Sequence, residues 1–232
     1  MIRLRLAHER GHAVHGWLKT HHTFSFGTYQ DPQHVEFRAL RVMNEDIIAA
    51  GQGFGTHPHH DMEIVTYVLE GELEHRDSLG HGEVLRAGEL QRMTAGTGIT
   101  HSEFNPSSDQ AVHLYQIWIR PDHQGLTPGY EQKRFAASEQ HNQWRLVASP
   151  EADQGSLRIH QDTRIYLAQL EPNVELEYRL EPGRFAWLQI LRGQVSMDAF
   201  HLSAGDGAAM DSDHPLKLIA KESSELLLFD LA

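Results

Sequence analysis

The apolar residues of this chain come in short alternating runs, and each run ends in a turn signal. Ile64-Val65-Thr66-Tyr67-Val68-Leu69, Val112-His113-Leu114-Tyr115-Gln116-Ile117-Trp118-Ile119 and Leu226-Leu227-Leu228-Phe229 are such runs. Glu70-Gly71, Leu79-Gly80, Ala87-Gly88 and Gly96-Thr97-Gly98 punctuate them. Successive strand residues face opposite sides of a sheet, so this alternation buries one face. Short strands closed by tight turns predict an all-β barrel or sandwich. Helical periodicity is scarce; only the stretch Ser149-Pro150-Glu151-Ala152-Asp153 suggests a helical turn.

The pattern occurs twice. Tyr67-Val68-Leu69-Glu70-Gly71-Glu72-Leu73 is similar to Gln189-Ile190-Leu191-Arg192-Gly193-Gln194-Val195, and downstream Ala87-Gly88-Glu89 is similar to Ala204-Gly205-Asp206. A repeated strand, tight turn, strand and Ala-Gly-acid turn predicts two similar β domains in tandem. The stretch from Pro121 to Trp144 is rich in Gly, Pro, Gln and charge and suits a linker. The expected domains are therefore 1–138 and 139–232.

Charge and composition exclude several function classes. With 20 basic and 32 acidic residues the formal net charge is −12, and such a field repels a phosphate backbone, so no nucleic-acid partner is expected. There is no cysteine, which rules out disulfides, thiolate metal sites and cysteine nucleophiles. No apolar stretch approaches the roughly 20 residues that cross a bilayer. The first residues lack the apolar core of a signal peptide, so a cytoplasmic location is expected.

Histidine is abundant, at 18 residues, and imidazole is the commonest protein metal ligand. Two pairs have ligand spacing. His57 and His59 flank Pro58, and His101 and Glu103 flank Ser102. On strands, residues two apart share a face. If the two strands lie side by side, three nitrogens and one carboxylate oxygen converge. That mixed set suits a divalent transition metal better than calcium or magnesium. Glu63, four residues after His59, is a second carboxylate candidate. The glycines at 51, 53 and 55 lead into a histidine strand with no Lys-Ser/Thr after them, so a phosphate loop is rejected.

Several words of the sequence go beyond this spacing: His15-Gly16-Trp17-Leu18, His22-Thr23-Phe24-Ser25-Phe26, the run from Gly51 through His59, Gly98-Ile99-Thr100-His101-Ser102-Glu103-Phe104-Asn105, and Leu114-Tyr115-Gln116-Ile117-Trp118. Together they resemble the pirin branch of the cupin superfamily, including the bacterial pirin-like quercetinases. The resemblance covers most of 1–135 and, more loosely, the rest. It implies two tandem cupin barrels of the jelly-roll (double-stranded β-helix) type, with metal only in the first. It implies His57, His59, His101 and Glu103 as ligands, with Glu63 second in line for the carboxylate. The implied metal is Fe(II), with Cu, Ni, Mn, Co or Zn as alternatives.

The resemblance further implies a quercetin 2,3-dioxygenase. Its partners would be a planar flavonol and O₂. Glu103 would be the base that takes the 3-hydroxyl proton, and the heterocycle would open with release of carbon monoxide. Some pirins are redox-responsive regulators instead, which implies a protein partner. A large closed pocket favours the enzyme; a shallow site beside an exposed patch favours the regulator.

The repeat allows a reading of the second half. Aligning Gly193 with Gly71 puts Arg179, Glu181 and Phe185 where His57, His59 and Glu63 stand. Aligning Gly205 with Gly88 puts Leu218 and Ala220 at the places of His101 and Glu103. No metal is expected there. Histidines such as His12, His15, His75, His81, His160 and His214 lack converging spacing and read as surface or structural residues. Gln116 and His113 lie in a strand that can approach the site. Phe24, Phe26, Met43, Tyr67 and Trp118 are candidates for an apolar pocket lining.

Overall fold

The computed structural model describes residues 2–211 and 215–232, so His214 lies outside the described residues. The regular structure of the described residues is almost all β-strand, and the chain groups into two compact units. One unit holds residues 11–134 and 157–161; the other holds 2–10, 135–156 and 162–232. The units thus do not follow a single cut in the chain.

The strands of the first half are β1 (Ile2–Arg5), β2 (Gly11–Val14), β3 (Leu18–His22), β4 (Leu40–Ile48), β5 (Gly53–His59), β6 (Glu63–Glu70), β7 (Glu72–Asp77), β8 (Gly82–Arg86), β9 (Glu89–Thr94), β10 (Ile99–Phe104), β11 (Val112–Ile119) and β12 (Gly129–Arg134). In the unit built on 11–134, seven antiparallel strands run in the order β12-β9-β6-β11-β4-β3-β2. Four more run in the order β5-β10-β7-β8. Leu18, Ile48, Val68, Leu73, Leu85, Val112 and Leu114 pack together as one buried cluster, with Trp17 and Phe54 against it. Ile64, Met93, Ala95 and Ile99 form a second, with Met62 and Trp118.

The other half contributes β13 (Arg145–Ser149), β14 (Leu157–Arg158), β15 (Thr163–Leu170), β16 (Glu175–Tyr178), β17 (Phe185–Arg192), β18 (Gln194–Met197), β19 (Phe200–Ser203), β20 (Gly207–Asp211), β21 (Leu216–Ala220) and β22 (Ser224–Leu231). In the second unit the strands pair in the order β1-β20-β17-β22-β15-β13, and a smaller sheet runs β16-β21-β18-β19. Its interior is filled by Leu188, Ile190, Val195, Leu218, Leu226, Leu228 and their neighbours.

The sequence repeat is a structural repeat. β6-Gly71-β7 and β17-Gly193-β18 are the same tight corner, with φ of 76° and 77°. A Cβ on Gly71 would lie 2.7 Å from the Ala111 carbonyl oxygen, and one on Gly193 would lie 2.3 Å from that of Ser223. Only glycine combines the left-handed conformation with that approach.

Three sequence expectations change. The stretch 121–144 is not all linker: 129–134 forms β12, which pairs with β9 from Gly129↔Thr94 to Arg134↔Glu89. Its residues are half-buried and polar, so no apolar alternation marks it. Residues 2–10 belong with the C-terminal half, because β1 pairs with β20 and the Ala7 N–H donates to Asp206 Oδ1 at 2.7 Å. The turn expected near 149–153 appears slightly later, as a 3₁₀ turn over Asp153–Gly155.

Candidate metal centre

β5 carries His57 and His59, and β10 carries His101 and Glu103. The two strands pair directly, with His101 opposite His57. Two residues on, Glu103 stands opposite Phe54, so β5 holds one extra residue across this step. Such a bulge bends a strand and re-aims its side chains. β5 is an edge strand, which is where Pro58 can be accommodated, having no N–H to donate.

The three imidazoles form a nearly equilateral triangle. Ring centroids are 4.4 Å apart for His57 and His101, and 4.8 Å for both other pairs. Their ligand nitrogens all lie within 4.8 Å of one another. A second group meets the same limit: His75, His101 and Glu103. Glu103 therefore joins the cluster through His101. These residue types, gathered around His101, make a candidate site for a single divalent metal.

The hydrogen bonds leave nitrogens free for such an ion. His57 Nδ1 lies 2.8 Å from the Gly55 carbonyl oxygen. A carbonyl can only accept, so Nδ1 carries the proton and the Nε2 lone pair is available. His101 Nε2 is buried without a hydrogen-bond partner. An orphaned buried polar atom is costly unless something else satisfies it, and a metal ion would.

The site's electrostatics favour neutral imidazoles. Burial lowers the His59 pKa to about 4, and the neighbouring His101 and His57 add to this. Burial also lowers that of His101 to about 3, with His57 and His75 contributing. Neutral imidazole is the ligating form, so both rings are ready at neutral pH.

Glu103 is buried and held from two sides. Gln116 Nε2 donates to its Oε2 at 2.7 Å, and Gln91 Nε2 donates to its Oε1 at 3.3 Å. Gln116 thus meets the site. Glu63 is fully buried but is in neither ligand group. Its Oε2 faces His160, with the backbone N at 3.3 Å and ring Nδ1 at 3.4 Å. His113 also turns elsewhere, pairing with Glu45 at 2.9 Å.

Beside the imidazoles lies a cavity of about 500 Å³, within the size range of small-molecule sites. Of the expected lining residues, Phe26 and Trp118 are there, and Trp118 sits edge-on to His59 at 4.9 Å. Phe24, Met43 and Tyr67 are buried core instead. Residues not expected at the site also line it: His12, His15, His22, Tyr29, Asn44, Asp46 and Phe54. His22 Nδ1 bonds Asn44 Oδ1 at 2.8 Å. The one sequence signal for His15 and His22 lay in the family-like words that contain them.

Asp46 stands out among these. Burial raises its pKa to about 7; the Thr20 hydrogen bond opposes this, and the negative charge of Glu103 reinforces it. Its Oδ1 has no hydrogen-bond partner.

The second unit differs at the matching positions. Leu218 and Ala220 are fully buried in its apolar interior. The residue opposite Leu218 is Leu176, not Arg179. The connection from β16 to β17 spans 179–184, whereas that from β5 to β6 spans only 60–62. The longer loop shifts the correspondence, so Arg179 and Glu181 fall outside the strand.

Comparison with known proteins agrees with this picture. Residues 3–119 match the Pirin family model, and residues 146–231 match that of the quercetinase C-terminal cupin domain. The chain belongs to the pirin family. This pirin is 52% identical over 231 residues to the quercetin 2,3-dioxygenase of Escherichia coli (strain K12), covering 100% of this chain and 99% of that one. It is 39% identical over 223 residues to the pirin-like protein of Caulobacter vibrioides, covering 96% of each. Among solved structures, the E. coli bacterial pirin YhhW in complex with nickel(II) matches with a TM-score of 0.95 at 52% identity, over 100% of this chain and 99% of that one. The fold of this pirin is accordingly all-β with two cupin domains. Among the described residues no helix is long and apolar enough to cross a membrane.

Proposed function

We propose that this pirin is a metal-dependent flavonol dioxygenase of the quercetin 2,3-dioxygenase type, with His57, His59, His101 and Glu103 as ligands of one metal ion. The observation that carries the reading is a triangle of three imidazoles, with a nearby carboxylate, opening onto a cavity of about 500 Å³. The full-length identity of 52% to a quercetin 2,3-dioxygenase supports an enzyme, with a flavonol and O₂ as substrates. Iron is the metal this reading expects, and the nickel(II) seen in the E. coli relative is the first alternative. A cytoplasmic location goes with the same reading.

The bound metal would supply a Lewis-acidic, redox-active centre beside the flavonol hydroxyl and O₂. The chain's own residues bind, orient and move a proton. Phe26, Phe54 and Trp118 offer apolar surface to a flat ring system. Glu103 accepts the proton of the 3-hydroxyl at a carboxylate oxygen, and Gln91 and Gln116 hold that carboxylate in place. Asp46, largely protonated below about pH 7, presents a donor to a substrate oxygen from the cavity wall. Overall one flavonol and one O₂ give the ring-opened ester and one carbon monoxide.

A regulatory role would call for a shallow site beside an exposed patch. A cavity of about 500 Å³ next to the imidazoles, of a size that takes a small molecule, favours the enzyme.

The test is anaerobic loading with iron(II) or nickel(II), followed by O₂ uptake and carbon monoxide detection against a panel of flavonols. The reading predicts one O₂ consumed and one carbon monoxide released per flavonol. Flavonol binding with no turnover under any metal would refute it.

A further inference from the structure

The face of His101 away from the triangle meets a chain of buried polar side chains. His101 Nδ1 lies 3.4 Å from His75 Nδ1. His75 Nε2 lies 3.1 Å from Asp77 Oδ2. The side chains of His75 and Asp77 are fully buried. Beyond them His81 Nδ1 reaches Asp77 Oδ2 at 2.9 Å, and the His81 side chain is partly exposed. Tyr130 stacks on His75 at 4.6 Å and on His81 at 5.2 Å, which keeps both ring planes in line.

The direction of every proton in this chain follows from Asp77. Burial alone would raise its pKa, but the hydrogen bonds from His75 and His81 hold it below its ordinary value, so it is a carboxylate. A carboxylate only accepts, so His75 Nε2 carries the proton. With a single proton on His75, held at Nε2 by Asp77, its Nδ1 is bare and accepts from His101 Nδ1–H. His101 is left with a bare Nε2, the buried atom that lacks a hydrogen-bond partner. Both ring nitrogens of His75 are engaged, so His75 is not read as a ligand even though it is grouped with His101 and Glu103.

We propose that Asp77 and His75 are positioning residues for the metal centre: they fix the tautomer of His101 so that its Nε2 lone pair faces the metal. The proposal rests on His101 being a ligand. Partners of this kind, behind a ligating histidine, fix its orientation and raise its basicity.

Asp77→Asn is an informative variant because it reverses the chain without changing its shape. Asp77 Oδ1 accepts the backbone N–H groups of Leu79 at 2.9 Å and His81 at 3.1 Å. Those donors keep the asparagine oxygen in that place and turn its NH₂ toward His75. His75 Nε2 must then accept, its proton moves to Nδ1, and His101 is forced to hold its proton on Nε2. The ligand atom is thereby blocked.

Two measurements test this. Long-range ¹H–¹⁵N NMR of the metal-free protein reads each histidine's tautomer. The expected wild-type spectrum shows His101 protonated at Nδ1 and His75 at Nε2; the opposite pattern would overturn the proposal with no variant needed. Chelator competition then gives the nickel(II) affinity. Asp77→Asn is expected to weaken it about 10- to 100-fold, with the His101 tautomer inverted. An unchanged affinity in a folded Asp77→Asn protein would also overturn it. Full nickel affinity in His101→Ala would instead refute the ligand assignment beneath it, so the two failures are distinguishable.

Discussion

Trp118 Nε1 donates to Gln116 Oε1 at 3.2 Å, and this decides which way the Gln116 amide faces. An indole N–H can only donate, so the amide oxygen must point to Trp118 and the NH₂ to Glu103. The carboxylate is thus met by a donor whose direction is set by an aromatic residue of the cavity wall. Gln91 adds a second donor while also donating to Thr66 Oγ1 at 3.1 Å.

Replacing Gln116 by Leu should therefore impair turnover without emptying the site. The expected loss in kcat/KM is about 10-fold, the cost of one hydrogen bond to a charged group. Metal content should stay near the wild-type value. Steady-state kinetics beside elemental analysis checks both, and loss of metal would mean that Gln116 holds the site together instead.

The two glutamates should separate cleanly. Glu103→Gln is expected to lower flavonol cleavage at least about 100-fold, since it removes both a proton acceptor and a charged ligand. Glu63→Gln disturbs the contact with His160 and should leave most of the turnover intact. The reverse ranking in an O₂-uptake assay would move the carboxylate ligand to Glu63.

Asp46 makes stability depend on pH in a stated direction. Its folded pKa, about 7, is above the unfolded value of 3.8, so the folded state favours the protonated form. The metal-free protein should lose this contribution as pH rises from about 4 through 7. Asp46→Asn cannot ionise and should escape the loss. Its stability relative to wild type should rise by on the order of 2 kcal/mol between pH 5 and pH 8. Denaturant unfolding at the two pH values measures it, and an equal difference at both would remove Asp46 from the account.

Metal release by acid should occur late. Ordinary histidines begin to exchange a metal for protons as pH falls below about 6.5. His59 and His101 instead protonate only near pH 4 and 3, because burial disfavours their charged forms. Bound nickel(II) should therefore survive dialysis at pH 5.5. Complete release above about pH 6 would count against ligation by these two rings.

Much of this was legible in the sequence. Period-two runs marked the strands, and two-residue spacing marked the His57/His59 and His101/Glu103 pairs as candidates, because strand geometry converts spacing directly into a shared face. The partners around them were not legible. His75 and Asp77 lie on β7 and reach His101 only because β7 pairs with β10, placing Asp77 opposite His101 and His75 opposite Glu103. Asp46 enters the cavity from β4. The pairing of β1 with β20 joins residues about 200 apart, and no local pattern announces it.

The central claim is that one metal ion sits on His57, His59, His101 and Glu103. Elemental analysis of the purified protein tests it most directly, comparing wild type with a folded His57→Ala/His101→Ala double variant. The account predicts about one divalent metal per chain in the first and almost none in the second. A full complement of metal in the double variant would contradict it.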